Sequence, residues 1–309
     1  MMTMDERPAV AANEDARPCL SPRTIVLIAD MALLLCALLW GASFATMKIL
    51  VAVYPTCWLL FLRFASGSAL IALFFHRRIA KEWRRALKGG VVIGALLFAA
   101  IGTQTFALTL MDAGRQAFVT ATYVLMVPLL LWASTRKFPG WTVLVAACVC
   151  LAGMALLTDL SGPIAVGDAL TLLCAVFFAL QIIAIGHYAK GTDPVVLSFV
   201  EFVTMAVLSS VVGTALEGPL VLSSEGWGEL VFTIVFCTFG CYVVQTCAQR
   251  YAPPSHAAIL MSLESVFGLL SGIVFLGEVL TLRMGIGCAM IFASVLIAEL
   301  APFLRRHEA

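Results

Sequence analysis

Apolar residues run along this chain in stretches of about 17–25, each bounded by a short polar or charged segment. Ten such runs fall at approximately 25–47, 57–75, 89–110, 116–133, 141–158, 168–187, 195–215, 229–248, 256–276 and 284–303. At a rise of about 1.5 Å per residue, each is long enough to cross a hydrocarbon core of roughly 30 Å as a helix. Apolarity within the runs is continuous, not alternating, which excludes barrel strands. Inside lipid a segment must satisfy its own backbone polar groups, so helices remain. The pattern therefore predicts an all-α integral membrane protein with ten transmembrane helices.

A second pattern lies over the first. Cys36-Ala-Leu-Leu-Trp40 returns as Cys174-Ala-Val-Phe-Phe178, and Gly102-Thr-Gln-Thr-Phe-Ala-Leu-Thr109 aligns with Gly240-Cys-Tyr-Val-Val-Gln-Thr-Cys247 at the same offset of about 138 residues. One slipped residue then brings the stretch around Pro128 onto that around Ser265. The spacing divides the chain into a first repeat at 25–158 and a second at 166–303. Polar tails remain at 1–24 and 304–309. Five crossings per repeat return the chain to the membrane from the opposite side, so the two repeats are inverted about an axis in the membrane plane.

Composition agrees: 62% of the 309 residues are hydrophobic and 12% charged, more apolar surface than a soluble core of this size can hide. The first 24 residues carry Asp5, Glu6, Arg7, Glu14, Asp15 and Arg17 among Pro8, Pro18 and Pro22, and read as a flexible cytoplasmic tail, not a cleaved signal. The ten cysteines lie mostly inside apolar runs, where cysteine is a small buried filler. Neither the Cys237/Cys241 pair nor Cys148 and Cys150 gains the further ligands a metal site needs, so no metal and no cofactor is expected.

Charge sets the orientation. Lys48, Arg115 and Arg283 fall on one face of the membrane and Arg63 lies within a span. The rest of the 19 Lys and Arg fall on the other face, with Arg77, Arg78, Lys81, Arg84, Arg85 and Lys88 in a single loop. The positive-inside rule then puts both termini in the cytoplasm, which fits an inner (plasma) membrane protein. The basic loop attracts anionic lipid, and it is too short and too close to the bilayer for nucleic acid.

These residues also carry a family likeness. The motifs are Leu39-Trp-Gly-Ala-Ser-Phe44, Leu62-Arg-Phe64, Ala113-Gly-Arg-Gln-Ala-Phe-Val119 and Val127-Pro128 in the first half. The second half has Gly167-Asp-Ala169, Leu263-Glu-Ser-Val266 and Leu276-Gly-Glu-Val-Leu-Thr281. As a set they resemble the drug/metabolite transporter superfamily, specifically the bacterial ten-helix permeases with two EamA domains, over about residues 28–302. The likeness implies a secondary carrier, in most members an exporter. Two departures stand out. The family usually has proline after the ninth-helix glutamate, where this chain has Ser265, which bears on the bending of that helix. The Gly277-Glu278 turn has no counterpart at Trp132-Ala-Ser-Thr-Arg136.

Candidate chemistry follows from depth. Glu264 lies within the ninth run, where a carboxylate is costly unless it meets water, a partner or a substrate. It can accept from a substrate amine, exchange a proton, or cap a contact between helices. Arg63 and Glu201 occupy equivalent positions in the two repeats with opposite charge. Their depths differ by about 10 Å, which argues for separate gating or anchoring roles. Gln104, Gln181 and Gln245 both donate and accept, as a solute with amino and carboxyl groups requires, and they bond across helices equally well. Trp40, Phe44, Tyr123 and Tyr242 supply aromatic walls. Pro128 removes a backbone bond and is expected to bend the fourth helix. Gly90/Gly94 and Gly268/Gly272 have the spacing of close helix crossings. Asp30 and Glu299 sit at helix ends from which they can reach the headgroups.

The expected function is a secondary transporter of a small metabolite, an amino acid or related amphiphile, exported across the inner membrane by alternating access. Protons are a candidate coupling ion, and the oligomeric state is not legible. No Gly-x-x-x-x-Gly-Lys loop is present to support ATP hydrolysis. The alternatives are an intramembrane enzyme, which needs clustered histidines or acids where the four histidines are scattered, and a channel, which needs rings of like charge.

Overall fold

The computed structural model describes residues 21–108, 110, 113–157, 165–276 and 280–305. The expected N-terminal tail up to residue 20, Gly277-Glu278 and residues 306–309 lie outside the described residues, as do the side chains of Phe44, Arg115 and Glu299. All regular structure among the described residues is helical. The order is α1 (Pro22–Ala42), α2 (Phe44–Val53), α3 (Thr56–Leu108), α4 (Ala113–Ala121), α5 (Tyr123–Thr135), α6 (Trp141–Leu157), α7 (Val166–Tyr188) and α8 (Pro194–Leu216). There follow α9 (Trp227–Phe232), a π-helix (Thr233–Gly240), α10 (Cys241–Ala248), α11 (Pro254–Met261), α12 (Glu264–Leu276) and α13 (Leu282–Arg305).

Local sequence explains where these helices start. Ser21 accepts from the Thr24 amide and Asp193 from the Val195 amide, each followed by proline at the first helical position of α1 and α8. Proline there gives up a hydrogen bond the helix could not have made. The start of α3 is capped from afar: the Glu217 carboxylate accepts from the Cys57 and Trp58 amides at 2.9–3.2 Å, and the Trp58 indole donates to the Gly218 carbonyl at 2.9 Å. Glu217 thereby joins the end of α8 to the beginning of α3.

Six stretches among the described residues are long and apolar enough to cross a membrane: Thr24–Ala42, Thr56–Ala107, Phe118–Thr135, Val166–Tyr188, Pro194–Leu216 and Trp227–Ala248. Trp141–Leu157 and Leu282–Ala298 are shorter apolar helices. The helices are clad in exposed apolar side chains. On α8, Val203, Val207 and Val211 face outward at helical spacing while Phe202, Met205 and Ser209 are buried. On α1, Leu27, Met31, Leu35 and Leu38 face outward opposite Leu33 and Ala37. Water does not tolerate apolar faces on that scale, and lipid does. The chain is a multi-pass membrane protein.

Contacts along the helices give their relative directions. Trp58 lies against Gly213 and Gly67 against Phe202, so the first limb of α3 runs antiparallel to α8, and Arg78, just past the kink, pairs at 3.7 Å with Asp193 at the start of α8. Past the kink at Phe75 the order reverses. Gly89 then meets Leu197, Gly90 meets Val200, and Gly94 meets Glu201 and Thr204. α3 is thus two limbs packed on one partner, holding the predicted run 57–75 and the run 89–110 as far as Leu108. Gly90 and Gly94 allow the approach, since a Cβ on Gly90 would come within 2.4 Å of the Val200 Cβ. α6 and α13 cross antiparallel at two glycines: a Cβ on Gly287 would lie 2.6 Å from the Gly153 carbonyl, and one on Gly153 would lie 2.8 Å from the Gly287 carbonyl.

This crossing generates a test. Gly287→Ala is expected to destabilise the protein by about 1–3 kcal/mol, because two backbones must separate. Gly285→Ala, on the same helix but with nothing within 4 Å of the added methyl, is expected to be neutral or stabilising by up to about 1 kcal/mol. Thermal unfolding in detergent checks the pair, and equal midpoints would contradict the close crossing.

Candidate functional site

Three helical interruptions share one chemical device. Between α1 and α2 the Ser43 hydroxyl donates to the Trp40 carbonyl at 2.8 Å. Between α4 and α5 the Thr122 hydroxyl donates to the Val119 carbonyl at 2.7 Å. Between α11 and α12 the Ser262 hydroxyl donates to the Ile259 carbonyl. In each case the amide and the hydroxyl of one residue both donate to a carbonyl three residues back, so the helical ladder tightens there into a single narrower turn. A fourth irregularity is the π-helix at Thr233–Gly240, a form found mostly at functional sites.

The interruptions meet. A Cβ on Gly41 would lie 2.6 Å from the Glu264 carbonyl and 2.8 Å from the Gly268 amide nitrogen, so α1 touches the first turn of α12 backbone to backbone. One residue earlier, the Trp40 indole donates to the Cys237 carbonyl inside the π-helix at 2.9 Å. Ser43 makes the break itself. The Trp-Gly-Ala-Ser motif is therefore a tether, a close approach and a hinge within about one helical turn.

Glu264 is the first residue of α12, at the positive end of its dipole, and its side chain is half-buried. Among the described residues its carboxylate has no hydrogen-bond or ion-pair partner. Tyr123, the first residue of α5, and Tyr242, Cys237 and Cys241 all lie within its electrostatic reach. The Trp40 and Tyr242 rings are 5.1 Å apart, and Tyr123 faces Phe178 at 6.4 Å. Trp40, Tyr123, Tyr242 and Glu264 are thus gathered around the α12 terminus.

Behind Tyr242 lies a second polar group. Arg63, buried on α3, donates from Nε to the Thr238 hydroxyl at 3.1 Å and lies against Phe64 at 5.7 Å. Glu201, wholly buried on α8, accepts from Gln181 of α7 at 3.3 Å. Arg63 and Glu201 do not pair with each other. Tyr242 stands within reach of both. Gln245 is buried one turn beyond Tyr242 on α10.

Other expected residues fall elsewhere. Gln104 is half-buried and its main-chain carbonyl accepts from the Gln116 side chain, with no bond to Glu264. Pro128 sits within a continuous α5, and the break in that segment falls at Thr122 ahead of it. Helix interruption next to Glu264 occurs without the family proline, because Ser262 supplies the turn and the Ser265 amide donates to the Ser262 carbonyl at 3.2 Å. Asp30 does not reach the headgroups: it is 5% exposed and accepts from His256 of α11 at 3.1 Å, tying α1 to α11. Glu299 lies outside the described side chains. Phe178, Thr238 and Gln116 were not anticipated. The repeat offers a signal for the first, since Phe178 is the counterpart of Trp40.

Comparison with known proteins agrees with this geometry. The model of the EamA-like transporter family matches residues 27–159 and again 165–300. An uncharacterized transporter of Archaeoglobus fulgidus is 30% identical over 275 residues, 89% of this chain and 86% of that one. The uncharacterized transporter YwfM of Bacillus subtilis is 25% identical over 291 residues, 89% of this chain and 95% of that one. One solved crystal structure superposes with a TM-score of 0.75 at 18% identity, over 92% of this chain and 99% of the other, a likeness of fold. With both repeats matched across nearly the whole described chain, this protein belongs to the EamA-like transporter family and is a transporter, not an enzyme.

Proposed function

We propose that this transporter is a secondary carrier exporting a small amphiphilic metabolite, an amino acid or a related amine, across the inner membrane by alternating access. Ten spans form two inverted five-helix repeats, with both termini in the cytoplasm. The first limb of α3 and its repeat counterpart α8 run antiparallel, as do α6 and α13, and an inversion axis demands that relation. The loop charges supply the orientation.

The observation that carries the reading is the meeting of interrupted helices at Glu264. Discontinuous helices at mid-membrane expose amides and carbonyls that continuous helices hide, and carriers build solute sites from them. Glu264 offers an unpaired carboxylate for a solute ammonium group, and Trp40, Tyr123 and Tyr242 offer aromatic faces for its apolar part. Breaks at Ser43, Thr122 and Ser262 are places where half-helices can rock without unfolding.

Counterflow in liposomes, preceded by a thermal-shift screen of amino acids, nucleosides and aromatic amines, identifies the solute. Glu264→Gln is expected to reduce its counterflow at least about ten-fold, the loss of one charge-assisted hydrogen bond, with the unfolding midpoint kept. Transport at the unmodified rate removes Glu264 from the site.

Orientation has its own test. Single cysteines replacing Trp83 and Glu225 are expected to react with an impermeant maleimide only from the cytoplasm and only from outside, respectively. The reverse pattern would invert the topology.

A further inference from the structure

The buried polar group behind Tyr242 is short of hydrogen-bond donors. Glu201 Oε2, Gln245 Oε1 and Gln249 Oε1 each lie inside the protein with no partner. The three residues are 0%, 3% and 0% exposed. They belong to one junction. Gln181 of α7 holds the other Glu201 oxygen, and the Gln249 amide donates to the carbonyl of Ile182, the next residue of α7, at 3.5 Å. Gln245 and Gln249 lie one turn apart at the end of α10, beyond Tyr242, which is itself within reach of Glu201. Ser198, one turn before Glu201 on α8, has an unpartnered hydroxyl too.

A buried carboxylate with one oxygen unpartnered, together with the two orphaned amide oxygens of Gln245 and Gln249, describes a site for positive charge. An unpaired carboxylate in an apolar interior is expensive, and each unsatisfied oxygen adds a desolvation cost. Protein groups do not supply the missing cation. Gln181 is the neutral neighbour from α7, Tyr242 the titratable one from α10, and α3 presents the backbone at Gly94. Arg63 on α3 donates to the Thr238 hydroxyl and makes no bond to Glu201. Lys190, Arg250 and Arg78 line a separate cleft of about 470 Å³ bordered by Val195 and Cys247, and none of them bonds to Glu201. Carboxylate, amide and hydroxyl oxygens are hard donors that suit a proton or a sodium ion, and not a soft metal.

We propose that Glu201, with the side-chain carbonyls of Gln245 and Gln249, binds a small monovalent cation, a proton or a sodium ion, that couples to transport. This rests on the carrier reading for its consequence, though not for the binding itself. The site is separate from the solute site at Glu264, and Tyr242 stands between them: an ion that fixes the α8–α10 packing also fixes the ring that borders the solute.

Binding is measured without any solute. The full chain is purified in detergent and its unfolding midpoint followed with sodium chloride exchanged for choline chloride at constant ionic strength, and again from about pH 5 to 8 in choline. A midpoint that rises with sodium identifies sodium; one that rises as the pH falls, without sodium dependence, identifies the proton. Either response is expected to vanish in Glu201→Gln and to need at least about ten-fold more ion in Gln245→Leu. Where Glu201→Gln yields no folded protein, Gln245→Leu decides alone. Wild type indifferent to both ions, or variants that respond as wild type does, overturns the proposal. Failure to find a transported solute would leave these midpoints untouched, and solute transport by a protein with no ion response would defeat the cation site alone.

Discussion

The contact on which the rest depends is that of Gly41 with the first turn of α12. At 2.6 Å from an added Cβ to the Glu264 carbonyl, no larger residue fits without moving a helix. Because α1 presses there, the start of α12 is held inside the protein and not at its rim. Lipid supplies no water to cover a helix end buried in that way, and the preceding turn covers it instead: the Leu263, Ser265 and Phe267 amides donate to the Leu260, Ser262 and Leu263 carbonyls at 3.0–3.2 Å. Polar chemistry gathers beside the same junction: Glu264 as the first residue of α12, Tyr123 within its electrostatic reach, and the π-helix, reached by the Trp40 indole. A close packing contact and a candidate solute site are here the same feature.

That arrangement sorts the intramembrane charges. Glu264 faces aromatic rings, whereas Arg63 and Glu201 are withdrawn into the packing of α3, α7, α8 and α10. Tyr242 lies at the boundary, with rings of Trp40, Phe64 and Phe202 at 5.1, 5.7 and 6.2 Å. A ring held on several sides transmits displacement in preference to absorbing it, since packed interiors yield little. Movement of α10 thus changes the wall of the Glu264 site and the surroundings of Glu201 together. The Asp30–His256 bond, at the other end of the α1–α11 pair, keeps those two helices in step below the breaks at Ser43 and Ser262.

Much of the fold was legible because lipid makes the code simple. Apolar run lengths mark the helices, and the repeated Cys36–Trp40 and Gly102–Thr109 segments mark the two halves. The interruptions were harder to see. Proline drew the eye to Pro128, which lies inside a continuous α5, while the narrowed turn falls ahead of it at Thr122, whose amide and hydroxyl both donate to the Val119 carbonyl. Ser265 in place of proline left the bending of that helix open, and Ser262 makes the turn. Serine and threonine are common in membrane helices and mostly bond back to the ladder without breaking it, as Thr103 and Thr246 do here. Residue type alone therefore does not distinguish a hinge from a decoration. Depth told that Arg63 and Glu201 do not meet, but not what each touches; Thr238 and Gln181 come from other helices whose rotation only packing determines.

The two halves are alike in backbone pattern and unlike in chemistry. Trp40 answers to Phe178, Gln104 to Tyr242, and Arg63 to Glu201. Trp40 tethers α1 to the π-helix, while Phe178 has no N–H to tether anything and instead faces Tyr123. Gln104 makes its contact through the main chain, whereas Tyr242 is the hub of an aromatic cluster. On the proposed alternating cycle, inverted repeats provide two conformations related by symmetry, and symmetry alone would make them equal in energy. These substitutions remove the equality. Every tether, ring and orphaned acceptor that sits in one half without an equivalent in the other biases the population of one state, and an ion bound at Glu201 shifts that bias only by as much as it prefers one state to the other. The asymmetry of the polar residues, not the symmetry of the helices, is what gives such a carrier a direction.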